Sequence, residues 1–165
     1  MRAIYLTGFM GSGKTTIAEK LSKALDMPAI DTDQHIMKAT GKSIPDIFAN
    51  EGEAAFRQYE TESLEALPTE NVIISTGGGI VLKERNRRFM EQNGTVIYLH
   101  CETEEIIRRL EGDTSRPLLA GDDRHEKVRL IFDDRLSLYR EAKFEVNTTH
   151  QPISDIVTEI RSVIG

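Results

Sequence analysis

The stretch Gly8-Phe9-Met10-Gly11-Ser12-Gly13-Lys14-Thr15 constrains this chain more than any other. It follows a short apolar run, Ala3–Thr7, that reads as a buried strand. It precedes Ile17, Ala18, Leu21, Ala24 and Leu25, which recur at helical spacing. A glycine-rich loop between a strand and a helix lets the backbone wrap around phosphates and turn successive N–H groups inward. The positive end of the helix dipole falls on the same point. In such a loop Lys14 reaches the β- and γ-phosphates, and the Thr15 hydroxyl can ligate Mg²⁺. A dinucleotide fingerprint is the competing reading, because Asp31 follows Gly11-Ser12-Gly13 at a similar interval. That reading lacks its third small residue, where Thr16 stands, and leaves Lys14 and Thr15 without a task. The loop predicts a nucleoside triphosphate site.

The rest of the chain predicts the frame around it. Ala29-Ile30 leads into Asp31-Thr32-Asp33, and Val72–Thr76, Val96–His100 and Phe144–Asn147 read as further strands. Helical patterns fall at about 52–67, 83–93, 103–110 and 126–140. A last helix begins near Ser154, with an apolar stripe of Ile156, Val157, Ile160, Val163 and Ile164. Short apolar strands alternating with amphipathic helices predict an α/β fold, a three-layer α/β/α domain around a five-stranded parallel sheet. Ligands of such sheets sit beyond the carboxyl ends of the strands. Gly8–Thr15, then Asp31 and Asp33, then Gly77-Gly78-Gly79 follow the first three predicted strands. Two stretches fall outside the alternation. Gln34–Glu51 contains Ser43-Ile44-Pro45-Asp46, which can cap a short helix, and begins a helical substrate-binding insert spanning about residues 33–60. Residues 112–124 carry Gly112, Pro117 and Gly121 among charges, as a mobile lid does.

Composition narrows the partners. At 165 residues the chain suits one domain spanning 1–165. A net charge of −6, from 21 Lys and Arg against 27 Asp and Glu, argues against broad nucleic-acid or anionic-membrane binding. No apolar stretch approaches the roughly 20 residues that span a bilayer, and the N-terminus turns glycine-rich too early for a signal peptide. A single cysteine, Cys101, excludes an intrachain disulfide and reads as a packing residue; a monomeric cytoplasmic protein is the expectation. His35, His100, His125 and His150 show no zinc spacing.

Phosphoryl transfer asks for positioning and charge neutralisation more than for covalent help. If the chain stays extended through Asp31 and Asp33, the two carboxylates point in opposite directions, one to a metal shell and one to an acceptor hydroxyl. Arg57, Arg109, Arg116 and Arg135 are the candidate cations beside Lys14. Arg57 and Glu60 also stand at the spacing of an ordinary helix-surface pair.

Beyond the phosphate loop, Asp31-Thr32-Asp33, Phe56-Arg57, Ser75-Thr76-Gly77-Gly78-Gly79, Arg116-Pro117-Leu118-Leu119 and Arg135-Leu136-Ser137-Leu138-Tyr139-Arg140 follow in order. In this series, over nearly the whole chain, the sequence resembles the shikimate kinase family of P-loop NTPase-type small-molecule kinases. The resemblance implies transfer of the γ-phosphoryl of Mg-ATP to the 3-hydroxyl of shikimate, in aromatic amino-acid biosynthesis. It implies nucleotide contacts at Gly11, Ser12, Gly13, Lys14, Thr15, Thr16, Arg109, Arg116 and Gln151, with Arg109 against adenine. Asp33 would hold the reacting hydroxyl, and Thr15 and Asp31 would serve the Mg²⁺. Arg57 and Arg135 would grip the substrate carboxylate, Gly77, Gly78 and Gly79 would approach substrate closely, and Arg116 would swing in from the lid. Phe48 and Phe56 would wall the substrate ring. Where relatives often carry a basic residue before the last helix, this chain has Thr148-Thr149-His150-Gln151-Pro152. The competing functions are another metabolite kinase, such as a gluconate kinase, and a non-catalytic nucleotide-dependent binding module.

Overall fold

Strands β1 (Ala3–Thr7), β2 (Ala29–Asp31), β3 (Ile73–Ser75), β4 (Gly94–His100) and β5 (Phe144–Asn147) pair in parallel, in the order β2-β3-β1-β4-β5. The computed structural model describes residues 1–111 and 123–165. Between the strands run α1 (Lys14–Leu25), α2 (Thr32–Thr40), α3 (Ile44–Asn50), α4 (Glu53–Ala66), α5 (Glu84–Asn93), α6 (Thr103–Leu110) and α7 (Arg124–Tyr139), and α8 (Ile153–Ile164) follows β5. All residues of β1 are buried, as a parallel strand covered on both faces requires.

Side-chain alternation along the strands divides the core. Ile4, Leu6, Ile73, Ile97, Leu99 and Val146 pack with Ile17 and Leu21 of α1 and with Ile156 and Ile160 of α8. Ala3, Tyr5, Ile74 and Tyr98 pack instead with Leu64, Met90, Ile106 and Phe132 from α4, α5, α6 and α7. These are the two outer layers of the expected α/β/α sandwich. A third cluster, Ile36, Ile47 and Phe56, ties α2, α3 and α4 together beyond the edge of the sheet. Ser43 caps α3 by accepting a 3.2 Å bond from the Asp46 N–H, with proline in the first turn, as its sequence predicts.

Among the boundaries that differ from the sequence expectation are those of β4 and β2. β4 begins at Gly94, two residues before the expected Val96. Gly-Thr reads as a turn, but here glycine serves close packing: a Cβ on Gly94 would lie 2.3 Å from the Ala3 carbonyl. β2 ends at Asp31 and α2 starts at once, so Asp33 lies in a helical first turn and not on extended chain. Of the expected lid, Arg124 is the first residue of α7; Arg116, Pro117 and the rest of 112–122 lie outside the described residues. Among the described residues, no helix is long and apolar enough to cross a membrane.

Candidate active site

The carboxyl ends of β1, β2 and β3 converge, and the first supplies the phosphate loop. Gly13 holds φ at +86° just before α1, a left-handed conformation that glycine adopts without a Cβ clash. Lys14 folds back along the loop and its Nζ donates to the carbonyls of Gly8 (2.7 Å) and Phe9 (3.0 Å). The cation therefore rests over the loop it serves. From α6, Arg109 donates to the Gly11 carbonyl at 2.9 Å and to Glu105 at 3.1 Å. Hydrogen bonding from Arg108, and then from Arg109, holds the Glu105 carboxyl down at about 2. Arg109 is thus clamped between an acidic anchor and the loop.

This loop walls a cavity of about 430 Å³ that also includes Thr16, Arg109, Thr148, Gln151 and Ile153. The segment before α8 is pinned in place: the backbone N–H and hydroxyl of Thr148 both donate to the His100 carbonyl, at 2.7 and 2.9 Å. The Gln151 amide donates to the Asn147 carbonyl. Ser12 is buried, and its backbone N–H donates to the Phe9 carbonyl at 3.2 Å.

The Asp31-Thr32-Asp33 tripeptide reaches three different elements. One Asp31 oxygen accepts from the Thr15 hydroxyl at 3.0 Å, and the other caps α2 through the Gln34 N–H, also at 3.0 Å. The Thr32 hydroxyl accepts from the Gly77 N–H at 2.9 Å. Asp33 turns to the glycine turn after β3, where a Cβ on Gly77 would meet both Asp33 Oδ1 and Glu60 Oε2 at 2.8 Å. The strand-to-helix switch therefore separates the two carboxylates, as extended chain would have done by alternation.

A second cavity, of about 530 Å³, adjoins the first. Met10, Thr15, Asp31, Asp33, Gly77 and Gly78 line both. Arg57, Glu60, Gly79, Arg135, Phe48 and Phe56 line the second alone. Arg57 and Arg135 are buried at 9% and 4% exposure, unusual for arginines and a sign of a built polar site. Arg57 donates to Glu60 at 2.7 Å and to Glu53 at 3.3 Å. Burial pushes the Glu60 carboxyl up, and the Arg57 charge partly offsets that. The Phe48 and Phe56 rings lie 5.0 Å apart between centroids and form an apolar wall. Tyr139 donates to the Gly78 carbonyl, and burial pushes its hydroxyl up to about 12.

The structure gathers Lys14, Thr15, Asp31, Asp33, Arg57, Gly77, Gly78, Gly79, Arg109, Arg135 and Gln151 around two adjoining cavities. Arg116 lies outside the described residues. Sequence reasoning missed three contributors. Glu60 looked like half of a surface pair, yet its side chain is 1% exposed. Thr32 stood unremarked between two carboxylates, and Tyr139 sat in a helical pattern with no sign of its bond to a distant glycine. Met10 and Met37 line the second cavity, although their spacing defines no groove. Cys101 is buried with its thiol pushed up by desolvation, which suits a packing role.

Comparison with known proteins points to one family. The family model described as "Shikimate kinase" matches residues 10–165. A shikimate kinase of Bacillus anthracis is 50% identical over 165 residues, covering 100% of this chain and 99% of the relative. One from Caldicellulosiruptor bescii is 42% identical over 149 residues, covering 90% of this chain and 87% of the relative. The solved shikimate kinase from Acinetobacter baumannii in complex with shikimate matches with a TM-score of 0.96 at 36% identity. It covers 99% of this chain and 93% of that one. The loop, the two carboxylates, the buried arginines and these likenesses converge: the chain belongs to the shikimate kinase family.

Proposed function

We propose that this chain transfers the γ-phosphoryl group of Mg-ATP to the 3-hydroxyl of shikimate, releasing ADP and shikimate 3-phosphate. The observation that carries the reading is the junction of the two cavities. A phosphate-binding loop opens into one, two buried arginines line the other, and Asp33 stands where they meet. Residues of about 33–60 serve as the acceptor-binding region and 112–124 as the lid of a single domain.

The nucleotide phosphates bind the loop N–H groups, and Lys14 exchanges its loop carbonyls for phosphate oxygens. Thr15 and Asp31 are hard oxygen donors with 3.0 Å between them, which fits Mg²⁺. Among the described residues, no group of three or more His, Cys, Asp and Glu side chains could hold a metal unaided. Nucleotide phosphates and water would complete its shell. An ion held by Thr15 and Asp31 would supply neutralisation of phosphate charge. Arg57 and Arg135 take the substrate carboxylate, a task matched to the planar guanidinium fork. Glu60 and Glu53 hold Arg57 at the cavity wall through three of its five N–H groups, which leaves two for the carboxylate. Asp33 orients the acceptor hydroxyl and receives its proton as the oxygen attacks phosphorus. Arg109 and Gln151 border the adenine side, and Arg116 supplies lid charge through the family resemblance.

Product analysis tests the regiochemistry. After incubation with Mg-ATP and shikimate, phosphorus NMR should find a phosphomonoester coupled to the proton on carbon 3; coupling to another ring position would overturn the assignment. Arg57→Ala is expected to raise the KM for shikimate roughly 10–100-fold, the loss of charge-assisted hydrogen bonds, with the KM for ATP unchanged. An unchanged KM for shikimate would contradict the carboxylate role.

A further inference from the structure

We infer that Thr32 is a positioning residue that locks the glycine turn in register with the two flanking aspartates and so sets which turn N–H groups face the acceptor. This inference rests on the acceptor reading proposed above. The parallel pairing of β2 with β3 ends at the Asp31–Ser75 partners, because α2 begins at the next residue. Beyond that point the carbonyls of the chain turn along the helix axis and no longer face β3. Thr32 takes over as acceptor: its hydroxyl receives the Gly77 N–H at 2.9 Å across 45 positions of sequence. The residue is 0% exposed, so this bond is made away from competing water.

The bond determines how the turn is used. Ile80 and Leu82 donate to the carbonyls of Gly77 and Gly79, both at 3.1 Å, and Tyr139 donates to that of Gly78. With the Gly77 N–H committed to Thr32, the N–H groups of Gly78 and Gly79, both at the wall of the second cavity, are left as the turn donors available to an acceptor. The same bond holds the Gly77 Cα beside Asp33 and Glu60, where a Cβ would come within 2.8 Å of either carboxylate. Asp31 meanwhile binds Thr15 at 3.0 Å, so consecutive residues fix the phosphate loop and the glycine turn against one another. Thr32 is thus a spacer between donor and acceptor sites, and a displacement of about 1 Å in such a site can cost about 10²-fold in rate.

The test uses the whole protein with Thr32→Val, which keeps the shape and removes the acceptor, and Thr32→Ser, which restores it. Amide hydrogen exchange at Gly77 is measured without substrate, nucleotide affinity without shikimate, and kcat and KM with both substrates. Thr32→Val is expected to speed exchange at Gly77 and to lower kcat/KM for shikimate about tenfold or more, with ATP affinity unchanged and Thr32→Ser close to the parent. Should Thr32→Val fail to fold, Thr32→Ala is measured in its place with the same expectation. Parent-like kcat/KM for shikimate in Thr32→Val would overturn the inference. So would equal losses of nucleotide and acceptor binding, or failure of Thr32→Ser to rescue. If the parent itself does not phosphorylate shikimate, the acceptor reading fails, and unaltered Gly77 exchange in Thr32→Val would separately sink the bond.

Discussion

Asp33→Asn is expected to lower kcat by roughly 10²–10⁴-fold, the range for losing a general base, while leaving ATP affinity unchanged. Asparagine keeps the size and one carbonyl oxygen, so the packing beside Gly77 is little disturbed. On the proposed reading it loses the charge that orients the acceptor hydroxyl and the site that takes its proton. Asp33 reaches this position from the first turn of α2, whereas Asp31, two residues earlier, is spent on Thr15 and the helix cap. On the proposed reading, nucleotide binding to the loop draws on Thr15 and Asp31 and not on Asp33. Equal loss of ATP binding and turnover would place Asp33 on the nucleotide side and contradict the division. A pH–rate profile adds a check. If Asp33 accepts the proton, the acid limb of kcat/KM for shikimate should disappear in Asp33→Asn.

Gly79→Ala is expected to raise the KM for shikimate by about 10²-fold, with little change in ATP binding. Its backbone is not strained, since φ is −96°. The obstacle is Arg57, whose Nη1, Cζ and Nη2 would lie 2.2, 2.5 and 2.7 Å from the new Cβ. A long side chain usually yields to such a clash at small cost. This one is held by Glu60 at 2.7 Å and Glu53 at 3.3 Å, so yielding breaks a buried ion pair or moves the carboxylate grip. Parent-like KM for shikimate in Gly79→Ala would show that Arg57 has room to spare and does not set acceptor binding.

Much of the fold is legible because it depends on local pattern. The Ala3–Thr7 run, the helical spacing of Ile17, Leu21 and Leu25, and the stripe through Ile156 and Ile160 each report burial that the sheet and its outer helices then realise. The phosphate loop is legible for a different reason: a fixed backbone path demands glycine at fixed offsets. Features that arise from long-range contact are not. Gly94 resembles a turn until Ala3 is seen against it, and Tyr139 resembles core until it meets Gly78. Glu60 shows the same limit at the site. Its spacing from Arg57 fits an ordinary surface pair, and only the packing of α4 against the glycine turn makes it a buried partner of Arg57. The order of the motifs carried the acceptor class, which spacing and periodicity alone left open.

ADP release from Mg-ATP, with shikimate, gluconate or AMP as acceptor, tests the central claim most directly. The account predicts release that depends on shikimate, is absent with gluconate and AMP, and is abolished when a chelator removes Mg²⁺. Release with gluconate or AMP in place of shikimate, or nucleotide binding without turnover on any of the three, would contradict it.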